Sequence, residues 1–474
     1  MPSSVLSCPR MLIAGLSGGS GKTLVALGIA RAFSDNGLLV QTFKKGPDYV
    51  DAQWLSVASR SVTTNLDPFL FSSEVLKNVF WHRATGCDLA LIEGNRGLYD
   101  GKDVFGTYSS AELAKFLQCP VLVVTDCTKV TRTMAAIILG LQVFDRDVDI
   151  RGIILNQTAG KRHQTILQRS IEQYTDVPVL GVLPRMDNNP IPERRMGLVS
   201  DFELDNDPLM GITFFVRQNI DLDSCLQVAQ KAPVQEHVIT PILKGSKVSQ
   251  TVKIGVASDA SLWFYYRENL EALSHAGAEL IDFSLVQSMA LPEDIDALYL
   301  GGGFPEIVAS KLAANTALHQ SIAQAINQGL PVYAESGGLV YLSTSLEEAD
   351  ETFPMVGIFP LTTKIFPKPQ GHGYMESVVA NPNPFFPLKT TLCGHEFHYS
   401  RSLDIEVIPS FVFQIKRGKG MTTGWDGILI KNCLASYIHT HALSLPQWAE
   451  NFVAAAQLYQ SYRKGGLPCP DIRL

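Results

Sequence analysis

The chain has 474 residues and a formal net charge of −7, with 46% apolar and 18% charged residues. That length exceeds one ordinary core and predicts two or three well-packed α/β domains. The acidic balance leaves no basic patch for nucleic acid, and no apolar stretch reaches the roughly 18 residues of a membrane span. The start, "MPSSVLSCPRMLIAGLSGGSGKT", lacks the n-region and cleavage site of a signal peptide, so a cytoplasmic protein is expected. Eight cysteines lie scattered without C-x-x-C pairs, which reads as reduced thiols and not as a disulfide or zinc framework.

In chain order, "RMLIAGLS", "LLVQTFKKG", "CDLALIEG", "PVLVVTDC", "RGIILNQ" and "VPVLGVLPR" are short apolar runs, each followed by a helical pattern. Buried parallel strands have this form. A polar, aperiodic stretch at 230–251 predicts a linker between a first domain at 1–229 and a second at 252–474. The second opens with "VKIGVASDA", "AELIDFSL", "DALYLGGG" and "LPVYAESGG", then turns strand-rich, and closes on the helix "PQWAENFVAAAQLYQSYRK".

"GLSGGSGKT", Gly15–Thr23, stands between a strand and a helix, the setting of a phosphate-binding loop. Gly18, Gly19, Ser20 and Gly21 could turn backbone N–H groups toward phosphates, Lys22 could reach the β/γ-phosphates, and Thr23 could ligate Mg²⁺. The strict G-x-x-x-x-G-K-T spacing fails because Leu16 stands where the leading glycine would be, so this is a variant loop. Glu93 ends the strand "LALIEG", where a second acidic group supports the metal. Asp48 and Asp51 in "FKKGPDYVD" could hold Mg²⁺ or steer a substrate, with a solvated turn as the plain alternative. Asn156, at another strand end, could read an adenine edge or serve as a cap.

In the second half, "PVYAESGGLVYLS" is an extended run that turns at Ser336 into a helix-compatible run, the way many enzymes present a nucleophile. "LYLGGGFPE" offers Gly302 and Gly303 as oxyanion donors, and "ASYIHTHA" places His439 and His441 as distant bases. The combination matches acyl transfer. "GHEFHYS" adds His395, Glu396 and His398, a weak zinc signature.

Seven motifs then fall in a familiar order: "SGGSGKT", "FKKGPDYVD", "IEGNRGLYDG", "LYLGGGFPE", "YAESGGLVYL", "GHEFHYS" and "SYIHTH". Over nearly its whole length the chain resembles cobyrinic acid a,c-diamide synthases. The resemblance implies a P-loop, dethiobiotin-synthetase-like parallel-sheet domain followed by a class I glutamine amidotransferase-like α/β domain. It further implies ATP and Mg²⁺, with Thr23, Asp48 and Glu93 around the metal, and a tetrapyrrole polycarboxylate activated as an acyl phosphate. Glutamine or ammonia would be the nitrogen source, with ammonia channelled between the domains. A homodimer is compatible with the sequence but not required by it.

Two departures stand out. The family pattern has cysteine where this chain has Ser336, and no carboxylate to orient His439 is evident, since His441 occupies the position two residues on. Ser336 then reads as a weakened nucleophile: an engineered substitution that traps glutamine, or a natural change in an enzyme using free ammonia. "IEGNRGLYDG" also differs from the "EGVMGLFDG" of cobalamin enzymes, which opens a sirohaem or sirohydrochlorin-type substrate as the alternative.

Overall fold

A computed structural model describes residues 4–186, 190–194, 197–199, 207–243, 249, 251–403 and 411–474. The chain divides into two compact units, Met1–Ile242 and Leu243–Leu474.

The first unit is built on seven parallel strands: β1 (Arg10–Gly15), β2 (Val40–Lys45), β3 (Thr64–Leu66), β4 (Leu89–Gly97), β5 (Val121–Asp126), β6 (Ile150–Thr158) and β7 (Val179–Pro184). Their spatial order is β3-β2-β4-β1-β5-β6-β7, so β1 lies between β4 and β5. The apolar runs become fully buried strands; Met11, Leu12, Ile13, Leu91, Ile92, Val123 and Ile154 have no exposed surface. Helix α1 (Lys22–Asp35) follows β1 and buries Val25, Ala26, Leu27, Ile29 and Ala30. Helix α2 (Tyr49–Ser59) follows β2 and is capped by Asp48, whose carboxylate accepts the Asp51 N–H at 2.9 Å. Because parallel sheets put their ligands at the carboxyl edge, the β1–α1 and β2–α2 turns and the end of β4 form one neighbourhood.

The stretch expected to be a linker differs in its first part. Gln235–His237 pairs antiparallel with Ser4–Leu6. The Gln235 amide donates to Leu117 O at 2.9 Å, and Asn78 and Thr240 exchange two hydrogen bonds of 2.9 Å. These side-chain bonds hold the segment to the first unit, which a composition reading misses because polar residues in it are spent on buried contacts.

The second unit carries a ten-stranded mixed sheet. Its strands are β8 (Val252–Ala257), β9 (Ala278–Phe283), β10 (Ala297–Leu300), β11 (Val332–Glu335), β12 (Gly371–Val379), β13 (Thr391–His398), β14 (Phe411–Arg417), β15 (Trp425–Ile430), β16 (Cys433–Ser436) and β17 (His439–Thr440). They lie in the order β9-β8-β10-β11-β16-β15-β14-β12-β13-β17. The pairs β10–β11 and β11–β16 are parallel, with Glu335 opposite Ser436. Two apolar layers cover the sheet. One contains Leu298, Leu300, Leu339 and Tyr341; the other contains Tyr299, Tyr333, Trp448 and Phe452. The second includes the buried face of the closing helix, Gln447–Lys464. No described helix is long and apolar enough to cross a membrane.

Candidate functional site

In the first unit the phosphate loop joins β1 to α1 as its sequence suggests. Gly21 adopts φ +90°, and a side chain there would run into the Asn156 amide. Asn156 donates to Ser20 O at 3.0 Å. That bond ties Asn156 to the loop, while its second amide hydrogen and its carbonyl oxygen are not used by it. Ser20 Oγ is buried without a hydrogen-bond partner among the described residues.

The carboxyl edge then gathers a charged cluster. Thr23 Oγ1 donates to Glu93 Oε1 at 2.6 Å. Lys44 Nζ lies 3.1 Å from the same Glu93 oxygen and 2.5 Å from Asp51 Oδ2. This follows from register, since Lys44 and Glu93 are direct partners on β2 and β4. Burial pushes the Glu93 carboxyl upward, against the pull of Lys44. Burial, then the neighbouring Asp51 charge, raises Asp48 to about 7. Lys44 stays charged: burial opposes its charge, but Asp51, Glu93 and Asp48 together hold it above the usual range. Lys22 is pushed downward by burial and then by Lys44.

These residues fit Mg²⁺. Glu93 Oε2 is fully buried without a hydrogen-bond partner among the described residues, and the Thr23 hydroxyl sits on the same carboxylate. Among the described residues no group of three or more His, Cys, Asp or Glu side chains encloses a metal. Mg²⁺ needs no such cage, because it binds through one or two carboxylates plus substrate phosphates and water.

In the second unit Ser336 sits between β11 and the short helix Gly337–Leu342, with φ 45° and ψ −96°. That strained backbone is what a nucleophile elbow imposes. A Cβ at Gly337 would lie 2.9 Å from Gly303 N and 2.8 Å from Leu262 Cδ2. The Gly337 backbone thus faces the Gly303 backbone directly beside Ser336. Gly302–Gly303 pairs antiparallel with Leu262–Phe264. A side chain on Gly302 would strike the His439 ring, which places the imidazole against the glycine loop.

The carboxylate missing from the sequence reading is Glu335. Its Oε2 lies 3.4 Å from His439 Nδ1, and its Oε1 accepts from Thr440 N at 3.1 Å and Thr440 Oγ1 at 3.0 Å. The expectation that nothing orients the imidazole is therefore corrected. The carboxylate precedes Ser336 instead of following the histidine, because β11 and β17 bring residues 104 apart together. His395 stacks on His439 with centroids 4.9 Å apart, and burial, then His439, hold it well below the ordinary imidazole range. Asp426 accepts the Tyr437 and Ile438 N–H groups at 3.1 and 3.2 Å, fixing the chain as it enters His439. His441 lies 3.5 Å from Glu268 Oε2.

The zinc signature does not assemble among the described residues. Glu396 spends its oxygens on Lys419 N at 2.5 Å and Gly420 N at 2.8 Å, and His398 Nδ1 contacts Ser400 O at 2.7 Å. Alternation along β13 turns His395 away toward His439.

Fold and site together define a class: a nucleotide-binding α/β unit followed by a glutamine amidotransferase unit on one chain. Residues 11–198 match the family described as CobQ/CobB/MinD/ParA nucleotide binding domain, and 253–446 match the CobB/CobQ-like glutamine amidotransferase domain. The chain is 40% identical over 447 residues to the cobyrinate a,c-diamide synthase of Magnetococcus marinus, covering 93% of this chain and 96% of that one. It is 40% identical over 454 residues to that of Archaeoglobus fulgidus, covering 95% and 98%. Among solved structures, "Structure of PurLQS from Thermotoga maritima" overlaps 44% of this chain and 98% of its own at 15% identity and a TM-score of 0.31. The protein belongs to the cobyrinate a,c-diamide synthase family.

Proposed function

We propose that the protein is an ATP- and Mg²⁺-dependent ligase that amidates peripheral carboxylates of a cobyrinate-class tetrapyrrole. Its glutaminase half is weakened by Ser336, so free ammonia is the efficient nitrogen source. The carrying observation is the Thr23–Glu93–Lys44–Asp51 cluster beside the Gly15–Thr23 loop, in a chain whose relatives are named cobyrinate a,c-diamide synthases.

A carboxylate is a poor electrophile. Its oxygen would attack the γ-phosphoryl group and ADP would leave; ammonia would then add to the acyl phosphate carbon and expel phosphate. Mg²⁺ would be held through Glu93, Asp48 and Thr23, and would supply charge neutralisation at the phosphates. Lys22 and Lys44 would add fixed positive charge there, while Asp51 keeps Lys44 in position.

In the second unit Ser336 is the acyl acceptor, His439 the base, and Glu335 the group that fixes the imidazole. Gly303 and Gly337 N–H groups are the oxyanion donors, the latter from the residue after the nucleophile. A hydroxyl is much harder to ionise than a thiol, whose pKa is about 8.5, so the same frame carries less glutamine hydrolysis with serine than with cysteine.

The test is mass-spectrometric counting of carboxylate-to-amide conversions on cobyrinic acid, sirohydrochlorin and sirohaem, with Mg·ATP and either ammonium or glutamine. Amides on cobyrinic acid from ammonium, with little from glutamine, are expected; Lys22→Ala should abolish them. Amides on sirohaem or sirohydrochlorin alone would move the substrate assignment. Equal product from glutamine would overturn the reading of Ser336.

A further inference from the structure

Beside the Lys44–Glu93 centre, a second cationic group remains unused by the chemistry above. Lys45 follows Lys44 on β2, and strand alternation sends its side chain to the opposite face of the sheet. Lys45 is 5% exposed, yet no ion pair or hydrogen bond holds its ammonium among the described residues. Burying a cation is costly unless opposite charge offsets it. Burial presses its pKa downward; Asp67 opposes this, and Arg96 and Lys44 add to it. Asp67, whose Oδ1 also accepts the Phe69 N–H at 2.8 Å, sets one negative charge against the two cations Lys45 and Arg96, which leaves the group net positive.

Arg96 lies three residues past Glu93 near the end of β4, the strand adjacent to β2. It is exposed, makes no ion pair among the described residues, and adopts φ +53°. A non-glycine residue in left-handed backbone at the ligand edge of a parallel sheet is the kind of strain that functional sites retain. The following loop continues the pattern. Lys102 Nζ stands 5.5 Å from the Phe69 ring centroid and 5.1 Å from that of Tyr108, and the two rings are 6.1 Å apart. Val104 and Phe105 on the same loop are 94% and 87% exposed.

We propose that Lys45 and Arg96 form a carboxylate-binding subsite, which takes a peripheral carboxylate of the polycarboxylate substrate other than the one being activated. The inference rests on the proposed amidation of a tetrapyrrole and deepens it. Cations of Lys45 and Arg96 beside an aromatic, apolar rim suit a flat polyanion. They do not suit a cationic ligand. Bound this way, the substrate is positioned by a group that never reacts, so its reacting carboxylate is held near the phosphate loop.

The experiment uses full-length protein with ammonium as nitrogen donor, so that the second unit plays no part. Arg96→Gln is expected to raise KM for cobyrinic acid about tenfold with KM for ATP unchanged, the loss of one charge-assisted hydrogen bond. Arg96→Lys should recover most of it. Quenching of tryptophan emission by cobyrinic acid without ATP should weaken in parallel, and the difference between wild type and variant should vanish for the fully esterified corrin. Lys45→Met should behave like Arg96→Gln wherever its melting temperature is retained; Arg96, being exposed, keeps the test open if it is not. A wild type that amidates cobyrinic acid while Arg96→Gln stays within twofold in KM overturns the subsite and leaves the function standing. A wild type that neither binds nor amidates cobyrinic acid overturns both.

Discussion

Glu335 offers the sharpest test of the second unit. Its Oε2 is 3.4 Å from His439 Nδ1, and both side chains are almost completely buried, at 0% and 1% exposure. In the proposed hydrolysis His439 takes the proton of the side chain at 336, and the imidazolium then has a carboxylate partner in a buried site. A hydrogen bond to a charged group contributes about 1.5–3 kcal/mol, which corresponds to about 10- to 150-fold in rate. Glu335→Gln preserves shape, and the amide oxygen can still accept from Thr440. Its nitrogen would then donate to His439 Nδ1, forcing the proton onto Nε2 and disabling the base, so about tenfold is the minimum loss. The assay is glutamate release from glutamine in the Ser336→Cys background, with ammonium-dependent amidation as the control that should not move. Glutamine hydrolysis within twofold of the parent would refute the assignment of Glu335.

Other expectations concern the same frame. Ser336→Cys alone should raise glutamine hydrolysis at least about a hundredfold, on the order of 3 kcal/mol at the barrier; no gain would show that more than the nucleophile is lost. Gly337→Ala should depress that hydrolysis in the Ser336→Cys background, because the new methyl meets Gly303 N at 2.9 Å; unchanged activity would mean that the oxyanion loop tolerates displacement. Asp426 is fully buried and its pKa is raised to about 7, chiefly by burial. A raised carboxyl binds its proton more tightly folded than unfolded, so it makes stability fall as pH rises from about 4 to about 7. Asp426→Asn should flatten that part of a urea-unfolding series, and an unaltered slope would count against it.

Much of this protein is legible in one dimension. Buried strands announce themselves as apolar runs such as "MLIA" and "LALI", because a strand covered on both faces has no room for alternation. The loop at Gly15–Thr23 and the turn at Ser336 are equally local, since each depends on small residues between a strand and a helix. Asp48 and Asp51 announce themselves by spacing, though not the cap that joins them. What tertiary structure alone decided is which charges meet. Glu335 reaches His439 across 104 residues of sequence, Lys44 is set on Glu93 by the β2–β4 register, and Asp426 fixes the entry to His439 from another strand. Asn156 ties the phosphate loop through Ser20 O for the same reason. Hydrophobic periodicity records whether a residue is buried, but a charge's partner is set by strand order and register, and those are properties of the assembled sheet.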